Sequence, residues 1–241
     1  MSTPLVEEPV IAARGVNFSF GQGELSKQIL FDLHMEVRPG EVVLLTGPSG
    51  SGKTTLLTLI GALRTVREGE LSVLGHELRD APASLRVELR RQIGFIFQAH
   101  NLLDFLSARQ NVELTYQLHH QMPLTEFRSR TEHLFEMVGL ADRMDYSPAK
   151  LSVGQKQRVA VVRALAGQPK LVLADEPTAS LDSKTGRDVV EMLSKLAREQ
   201  SCPILMVTHD SRVLDIADRR IHMEDGRIAE EGAPSIADAR S

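Results

Sequence analysis

Short runs of consecutive apolar residues alternate along the chain with stretches in which apolar residues recur at helical spacing. The pattern of a strand buried on both faces occurs at residues 41–45, 171–174 and 204–207. A turn and a helix-like segment follow each of these runs. Residues 29–37 alternate like a half-buried strand, and two further strands are predicted at 219–223 and 227–231. This order predicts an α/β fold in which helices connect parallel strands.

The middle of the chain has a different pattern, because residues 108–167 are helical in periodicity and contain no convincing strand. A helix is predicted over 124–138, and Gly139 is a typical helix end. We therefore expect a single domain, 1–241, in which a helical subdomain is inserted into an α/β core. The expected boundaries are about 5–97 and 168–231 for the core, about 98–167 for the helical subdomain and 232–241 for a flexible tail.

Composition and charge narrow the class of protein. Of the 241 residues, 42% are hydrophobic and 25% are charged, which is typical of soluble globular proteins. The net charge of −4 gives no reason to expect a nucleic acid as partner. Cys202 is the single cysteine, which excludes an intramolecular disulfide and predicts a buried structural thiol. We find no signal-peptide pattern and no apolar run near the roughly 18 residues that span a bilayer, so we expect a soluble protein.

A glycine-rich segment directly after the first buried run fits the pattern G-x-x-x-x-G-K-[ST] of a phosphate-binding loop. Its residues are Gly47, Pro48, Ser49, Gly50, Ser51, Gly52, Lys53 and Thr54, with Thr55 next to them. Backbone N–H groups of such a loop converge on phosphate oxygens, Lys53 would reach the β- and γ-phosphates, and Thr54 would ligate Mg²⁺. The alternative is a Gly/Ser-rich turn. The strand before the segment and the helix-like run 55–63 after it favour the phosphate loop.

A second candidate site follows the buried run 171–174. Asp175 ends the run and is a candidate contact for Mg²⁺, whereas Glu176 can turn toward the nucleotide and polarise a water molecule. An acidic turn after a buried strand is the alternative. Together with the phosphate loop, this pair predicts hydrolysis of a nucleoside triphosphate. The guanine-reading pattern N-K-x-D of small GTPases is absent from the sequence.

Further segments resemble, in order, the motifs of the ATP-binding cassette (ABC) ATPases. Residues 151–155, Leu-Ser-Val-Gly-Gln, resemble the family's signature, whose residues here are Ser152, Val153, Gly154 and Gln155. The other resemblances are Gln98, 45 residues after Lys53, to the Q-loop, Asp182 to the D-loop, His209 to the switch histidine and Phe20 to the aromatic residue that stacks on adenine. Phe18 competes with Phe20 for that role, and an isolated histidine such as His209 is more often structural.

The resemblance implies the fold, the ligands and the assembly. It implies a P-loop NTPase core, N-terminal antiparallel strands and an α-helical subdomain, with ATP and Mg²⁺ as ligands. Two such domains would pack head to tail as a homodimer, so that the signature of one contacts the γ-phosphate bound by the other. Glu176 would be the general base, and His209 would hold the γ-phosphate. Gln98 would sense Mg²⁺ together with Thr54 and Asp175, and Asp182 would couple the two sites.

The signature departs from the family pattern at one position, because Val153 stands where the family usually has glycine. If the backbone there requires a positive φ, valine is strained. If the position opens the following helix, valine is tolerated.

Less specific stretches resemble the exporter group of lipoprotein-release, macrolide-export and DevA-type glycolipid-export ATPases. They include residues 56–64, 68–75 and 94–103. This resemblance implies an integral-membrane permease as partner, possible contact with a membrane-fusion protein through that permease, and a location at the cytoplasmic face of the inner membrane. The alternatives are an importer or cell-division ATPase of similar design and a soluble ABC ATPase that acts on DNA or ribosomes. No residue here identifies the transported substrate.

Overall fold

Two β-sheets and a set of helices make up the structure, a computed structural model that describes residues 8–21, 23–117 and 122–233. The strands are β1 (Ile11–Phe20), β2 (Lys27–Val37), β3 (Val42–Thr46), β4 (Glu68–Val73), β5 (His76–Glu77), β6 (Ile93–Ile96), β7 (Leu171–Asp175), β8 (Ile204–Val207), β9 (Arg219–Glu224) and β10 (Arg227–Gly232). The helices are α1 (Lys53–Ile60), α2 (Ala83–Arg91), α3 (Ala108–Tyr116), α4 (Leu124–Met137), α5 (Val153–Ala166) and α6 (Ser183–Glu199).

The larger sheet has the strand order β10-β9-β3-β8-β7-β6. Strand β3 pairs in parallel with β8 and β9, and β7 pairs in parallel with β8 and β6. Strand β10 is antiparallel to β9 and forms the hairpin that the sequence predicted. The predicted parallel strands with helical crossovers are therefore confirmed. None of the helices within the described ranges combines the length and hydropathy that a bilayer-spanning segment needs.

The central strands are continuously apolar because both faces of the larger sheet are covered. Val42 and Leu44 of β3 face a core shared with α3, α4, α5 and α6. Val43 and Leu45, which alternate with them, face a second core shared with α1 and the smaller sheet. The parallel strands β7 and β8 divide their side chains between the two cores in the same way.

The smaller sheet is antiparallel, with the strand order β2-β1-β4-β5. Its first two strands pair from Ile11 opposite Val37 to Phe20 opposite Lys27. This sheet confirms the expected N-terminal antiparallel strands and, with the parallel sheet and helices α3–α5 between β6 and β7, the predicted fold class.

Three local predictions differ from the structure. Helix α1 was predicted at 55–63, but it begins at Lys53 and ends at Ile60. It ends there because Ala62 has a left-handed backbone, with φ 53°, and Leu63 N turns back to bond Thr58 O. The apolar pattern also did not predict strands β1, β4, β5 and β6. Strand β10 runs to Gly232, where the tail was expected to start, and residues 234–241 of that tail lie outside the described residues.

Candidate active site

Loops at the carboxyl ends of adjacent parallel strands form the candidate site. The phosphate loop follows β3, and Gln98 lies just after β6. Glu176 follows β7, and His209 lies just after β8. Because β3, β8, β7 and β6 are neighbours in the sheet, segments that are distant in sequence, such as Gly47 and His209, meet at one edge, where ligands of parallel α/β sheets bind.

These loops enclose a cavity of about 740 Å³. The predicted residues that line it are Phe20, Gly47, Ser49, Gly50, Gly52, Lys53, Thr54, Thr55, Gln98, Glu176 and His209. Lys27, Ile29 and Val207 also contribute to the wall, and the sequence patterns had not singled them out. A larger cleft of about 1170 Å³ beside α2 and the start of α4 contains none of the predicted site residues.

The side chain of Lys53 is folded back onto the phosphate loop. Its Nζ donates hydrogen bonds to the carbonyl oxygens of Gly47 and Pro48, both at 2.8 Å, and contacts Ser51 Oγ at 3.3 Å. Burial lowers the pKa of Lys53, whereas the carboxylates of Glu176 and Asp175 oppose that shift. Pro48 and Ser51 do not line the cavity. Both residues instead accept hydrogen bonds from Lys53, which fix its side chain against the loop.

The start of α1 fits a polyanion. No side chain caps the helix, and the cap residue Gly52 has φ 97°. A Cβ atom at Gly52 would lie 2.6 Å from Leu30 Cδ2, so both backbone conformation and space require glycine. The N–H groups of the first turn therefore point to the phosphate loop and the cavity, where they and the helix dipole favour phosphate oxygens.

Thr54 and Asp175 come together as the sequence predicted for a magnesium site. Thr54 Oγ1 donates a hydrogen bond of 3.2 Å to Asp175 Oδ1. Burial raises the pKa of Asp175, and the bond from Thr54 partly offsets that rise. One hydroxyl and one carboxylate beside a phosphate loop are a donor set that fits Mg²⁺, which is bound by few protein ligands and by substrate phosphates.

Glu176 and His209 both line the cavity, and their side chains are in contact. The distance from His209 Nδ1 to Glu176 Oε2 is 2.8 Å. This is an ion-pair contact by distance, but no donor among the described residues is aligned with Oε2 as in a hydrogen bond. The Glu176 side chain is 17% exposed and that of His209 is 69% exposed. A carboxylate that is shielded, close to the phosphate loop and free of an aligned donor can accept a proton from a bound water molecule.

The two candidate phenylalanines for an adenine contact occupy different places. Phe20 lines the cavity and is 37% exposed. Phe18 packs against the core under the antiparallel sheet and meets the Phe20 ring at 90°, with 5.0 Å between ring centroids. The geometry favours Phe20 as the aromatic surface that a base would reach.

The signature segment lies outside this cavity. Ser152 caps α5 in a reciprocal capping box, in which Ser152 Oγ accepts from Gln155 N at 3.2 Å and Gln155 Oε1 accepts from Ser152 N at 3.0 Å. The Ser152 hydroxyl hydrogen is left to donate outward. Val153 is the first helical residue and is 44% exposed, so its backbone needs no positive φ and valine is tolerated. Gly154 allows α5 to approach α6 closely, because a Cβ atom at this position would lie 2.6 Å from Thr185 Cγ2.

Asp182 is also outside the cavity and caps α6 by accepting a hydrogen bond from Thr185 N at 3.1 Å. Hydrogen bonding by Thr185 lowers the pKa of Asp182. The aspartate is therefore charged, and it lies at the exposed start of α6.

Two residues that the sequence did not single out hold the loop after Gln98. Arg163 of α5 donates to the carbonyl oxygens of His100 at 2.7 Å and Asn101 at 2.6 Å. Asn111 of α3 is fully buried and bonds both the N–H and the carbonyl of Leu103, at 2.7 and 3.1 Å. Arginine and asparagine at helical positions gave no sequence signal, because their partners are backbone groups distant along the chain.

Comparison with known proteins agrees with this geometry. A family model described as ABC transporter matches residues 30–179, more than half of the chain. The lipoprotein-releasing system ATP-binding protein LolD 2 of Rhodospirillum rubrum is 42% identical over 91% of this chain and 96% of its own length. The chain belongs to the ABC transporter family. The predicted resemblance is therefore confirmed.

Two further relatives show how much of each protein is similar to this ABC family member. The macrolide export ATP-binding/permease protein MacB of Marinobacter nauticus is 39% identical over 96% of this chain, but the chain spans only 36% of MacB. The ADP- and phosphate-bound dimeric structure of the ATP-binding cassette MJ0796 is 36% identical, with a TM-score of 0.84, and covers 93% of this chain. The cassette alone is thus shared with all three proteins.

Proposed function

We propose that the chain is the ATP-hydrolysing subunit of an ABC export complex and that it drives a separate membrane permease through an ATP-dependent head-to-tail dimer. The observation that carries this proposal is the convergence of Lys53, Glu176 and His209 on one cavity at the carboxyl edge of the parallel sheet. The reaction is transfer of the γ-phosphoryl group of ATP to water, which yields ADP and phosphate.

The phosphate loop binds the triphosphate in this proposal. Backbone N–H groups of the phosphate loop, other than at Pro48, surround the phosphate oxygens, and the open first turn of α1 adds its dipole. Lys53 exchanges the carbonyl oxygens of Gly47 and Pro48 for the β- and γ-phosphates. Phe20 stacks on the base at the other end of the cavity.

Mg²⁺, when bound with the nucleotide, would offset the negative charge that develops on the phosphate oxygens. Thr54 Oγ1 and the Asp175 carboxylate would hold it, with Gln98 as the third candidate ligand. Asp175 is half-buried, and desolvation raises its pKa, whereas a cation at this position would favour its charged form.

Glu176 acts as the general base. Its carboxylate accepts a proton from the attacking water, and His209, 2.8 Å away, holds the carboxylate and the γ-phosphate in position. The exposed side chain of His209 can move between these two partners, since only one contact with Glu176 restrains it among the described residues.

The signature acts in trans. Ser152, Val153, Gly154 and Gln155 are absent from the lining of the cavity, yet they open helix α5 on the surface with a hydroxyl that can donate. A second copy packed head to tail presents this helix N-terminus to the γ-phosphate, and Asp182 at the exposed start of α6 contacts the partner. The cassette MJ0796 is dimeric in two solved structures, which supports a dimer of this chain.

Export through a permease is supported by the relatives, which are named for lipoprotein release and macrolide export. The chain would bind an integral-membrane permease from the cytoplasmic face of the inner membrane, with a membrane-fusion protein as an indirect partner. A permease-binding surface is available after Gln98, where Leu103 is 40% exposed and Phe105 is 81% exposed. We call these two residues the apolar patch.

The experiment that tests the proposed reaction is the substitution Glu176→Gln. It keeps the shape of the side chain but removes the base, so turnover of ATP should fall about 10²- to 10⁴-fold while ATP still binds. An ATP-bound dimer should then accumulate, which size-exclusion chromatography with and without ATP would detect.

Lys53→Ala serves as the control, because it removes a phosphate contact and should weaken ATP binding itself. If Glu176→Gln retained near-normal turnover, or if it lost ATP binding to the same extent as Lys53→Ala, Glu176 would not be the general base.

A further inference from the structure

The Phe20 ring contacts the cationic side chain of Arg64, a residue to which the phosphate-loop and signature motifs assign no role. The guanidinium carbon of Arg64 lies 4.6 Å from the centroid of the Phe20 ring, within the range of a cation–π interaction. Phe18 meets the same ring in a T-shaped contact at 5.0 Å. Phe20 therefore has two neighbours that fix its orientation, although it is 37% exposed.

Arg64 contacts Phe20 from outside the cavity. Phe20 lines the cavity wall, whereas Arg64 is not among the residues that line it. With the guanidinium over the ring, Phe20 is therefore still part of the wall that a base would reach.

The connection that carries Arg64 is fixed by its own backbone. The N–H groups of Leu63 and Arg64 both donate to Thr58 O, at 2.9 and 3.2 Å, just after the left-handed residue Ala62. The connection that follows α1, the helix that begins at the phosphate loop, thus carries the residue that supports the aromatic ring.

We propose that Arg64 is a positioning residue for the nucleotide base: it holds the Phe20 ring in the orientation that stacks on adenine, without touching the nucleotide. This rests on the proposed function, in which Phe20 is the surface for the base. Without Arg64 an exposed ring gains rotational freedom, and ordering it on binding costs free energy.

The test compares Arg64→Ala and Arg64→Lys with Arg67→Ala, which removes the same charge from an exposed position on the same connection. Isothermal titration calorimetry measures the dissociation constants of ADP and of inorganic tripolyphosphate, a probe that has no base. For Arg64→Ala we expect the ADP constant to rise about two- to fivefold, as for a lost cation–π contact at an exposed site, and the tripolyphosphate constant to stay unchanged. Arg64→Lys should lie between Arg64→Ala and the unmodified chain, and Arg67→Ala should match the unmodified chain.

Phe20→Ala separates this proposal from the proposed function. If Phe20→Ala weakens ADP binding but Arg64→Ala leaves it unchanged or tightens it, the role of Arg64 is wrong and that of Phe20 stands. An equal loss of ADP and tripolyphosphate binding in Arg64→Ala would also overturn the proposal, since it would reveal a general effect of charge. If Phe20→Ala leaves ADP binding unchanged, the base site itself is wrong.

Discussion

The backbone at Glu176 has a positive φ of 49°, which is uncommon for a residue with a side chain. The hydrogen bond from Glu176 N to Val207 O, at 2.9 Å, fixes this turn directly after β7. The conformation directs the carboxylate to the cavity instead of along the strand. Strain of this kind persists where surrounding structure holds it, and here it accompanies the proposed catalytic role.

Val153 gives a prediction at the residue scale. Because it is the first residue of α5 and is not strained, Val153→Gly should lower the free energy of unfolding by up to about 1 kcal/mol through chain entropy. Val153→Ala is the matched variant and should leave stability unchanged or slightly higher. Thermal unfolding of the purified chains measures both. A melting temperature clearly higher for glycine than for alanine would show that valine is strained after all.

Residue identities in the site were predictable to different degrees. The phosphate loop and the Asp175–Glu176 pair have local patterns, so the sequence alone indicated them. Lys27 and Ile29 could not be found in this way, because they reach the cavity only through the pairing of β1 with β2. The choice between Phe18 and Phe20 likewise needed the direction of each ring.

At the scale of elements, the loop after Gln98 separates its apolar residues into two groups. Leu102 packs against the helical core, whereas Leu103 and Phe105 form the exposed apolar patch. Arg163 holds the backbone before the patch, at His100 and Asn101, and Asn111 holds it at Leu103 and after the patch at Leu106. A loop fixed in this way can present apolar side chains without collapsing onto its own core.

The apolar patch gives a prediction for the permease. Leu103→Ser and Phe105→Ser should change the free energy of unfolding by no more than about 0.5 kcal/mol, because both side chains are exposed. The purified variants should bind ATP normally, and their co-purification with the permease partner should be lost. Leu25→Ser is the control, since Leu25 is 87% exposed on another part of the surface. Unfolding several degrees early, or normal co-purification, would contradict the permease-binding role.

Element prediction succeeded where burial imposes a pattern and failed where it does not. The two-sided burial of β3, β7 and β8 produces continuous apolar runs, which predicted all three strands. Strand β6 has the same four-residue length as β8, but Gly94 interrupts its apolar run, so it has no comparable signal. The end of α1 depends on a left-handed alanine, Ala62, which sequence propensity disfavours.

At the scale of the whole molecule, the cavity and the signature are on separate surfaces. One chain supplies the phosphate loop, Glu176 and His209 to its own cavity, and it presents Ser152 elsewhere. A complete site therefore needs two copies in the proposed mechanism. Periodicity along a single chain carries no information about contacts between two copies, and only the family resemblance suggested this arrangement.

The central claim is that each ATP site combines the phosphate loop of one chain with the signature of another. It is tested most directly by mixing a tagged Lys53→Ala chain with an untagged Ser152→Ala chain and measuring ATP-dependent capture of the untagged chain. In a head-to-tail heterodimer one site carries both substitutions and the other carries neither, so the account predicts capture with ATP and none without it. Neither variant should capture a copy of itself. If Ser152 acted on the nucleotide of its own chain, every site would carry one substitution, and the mixture would show no ATP-dependent capture.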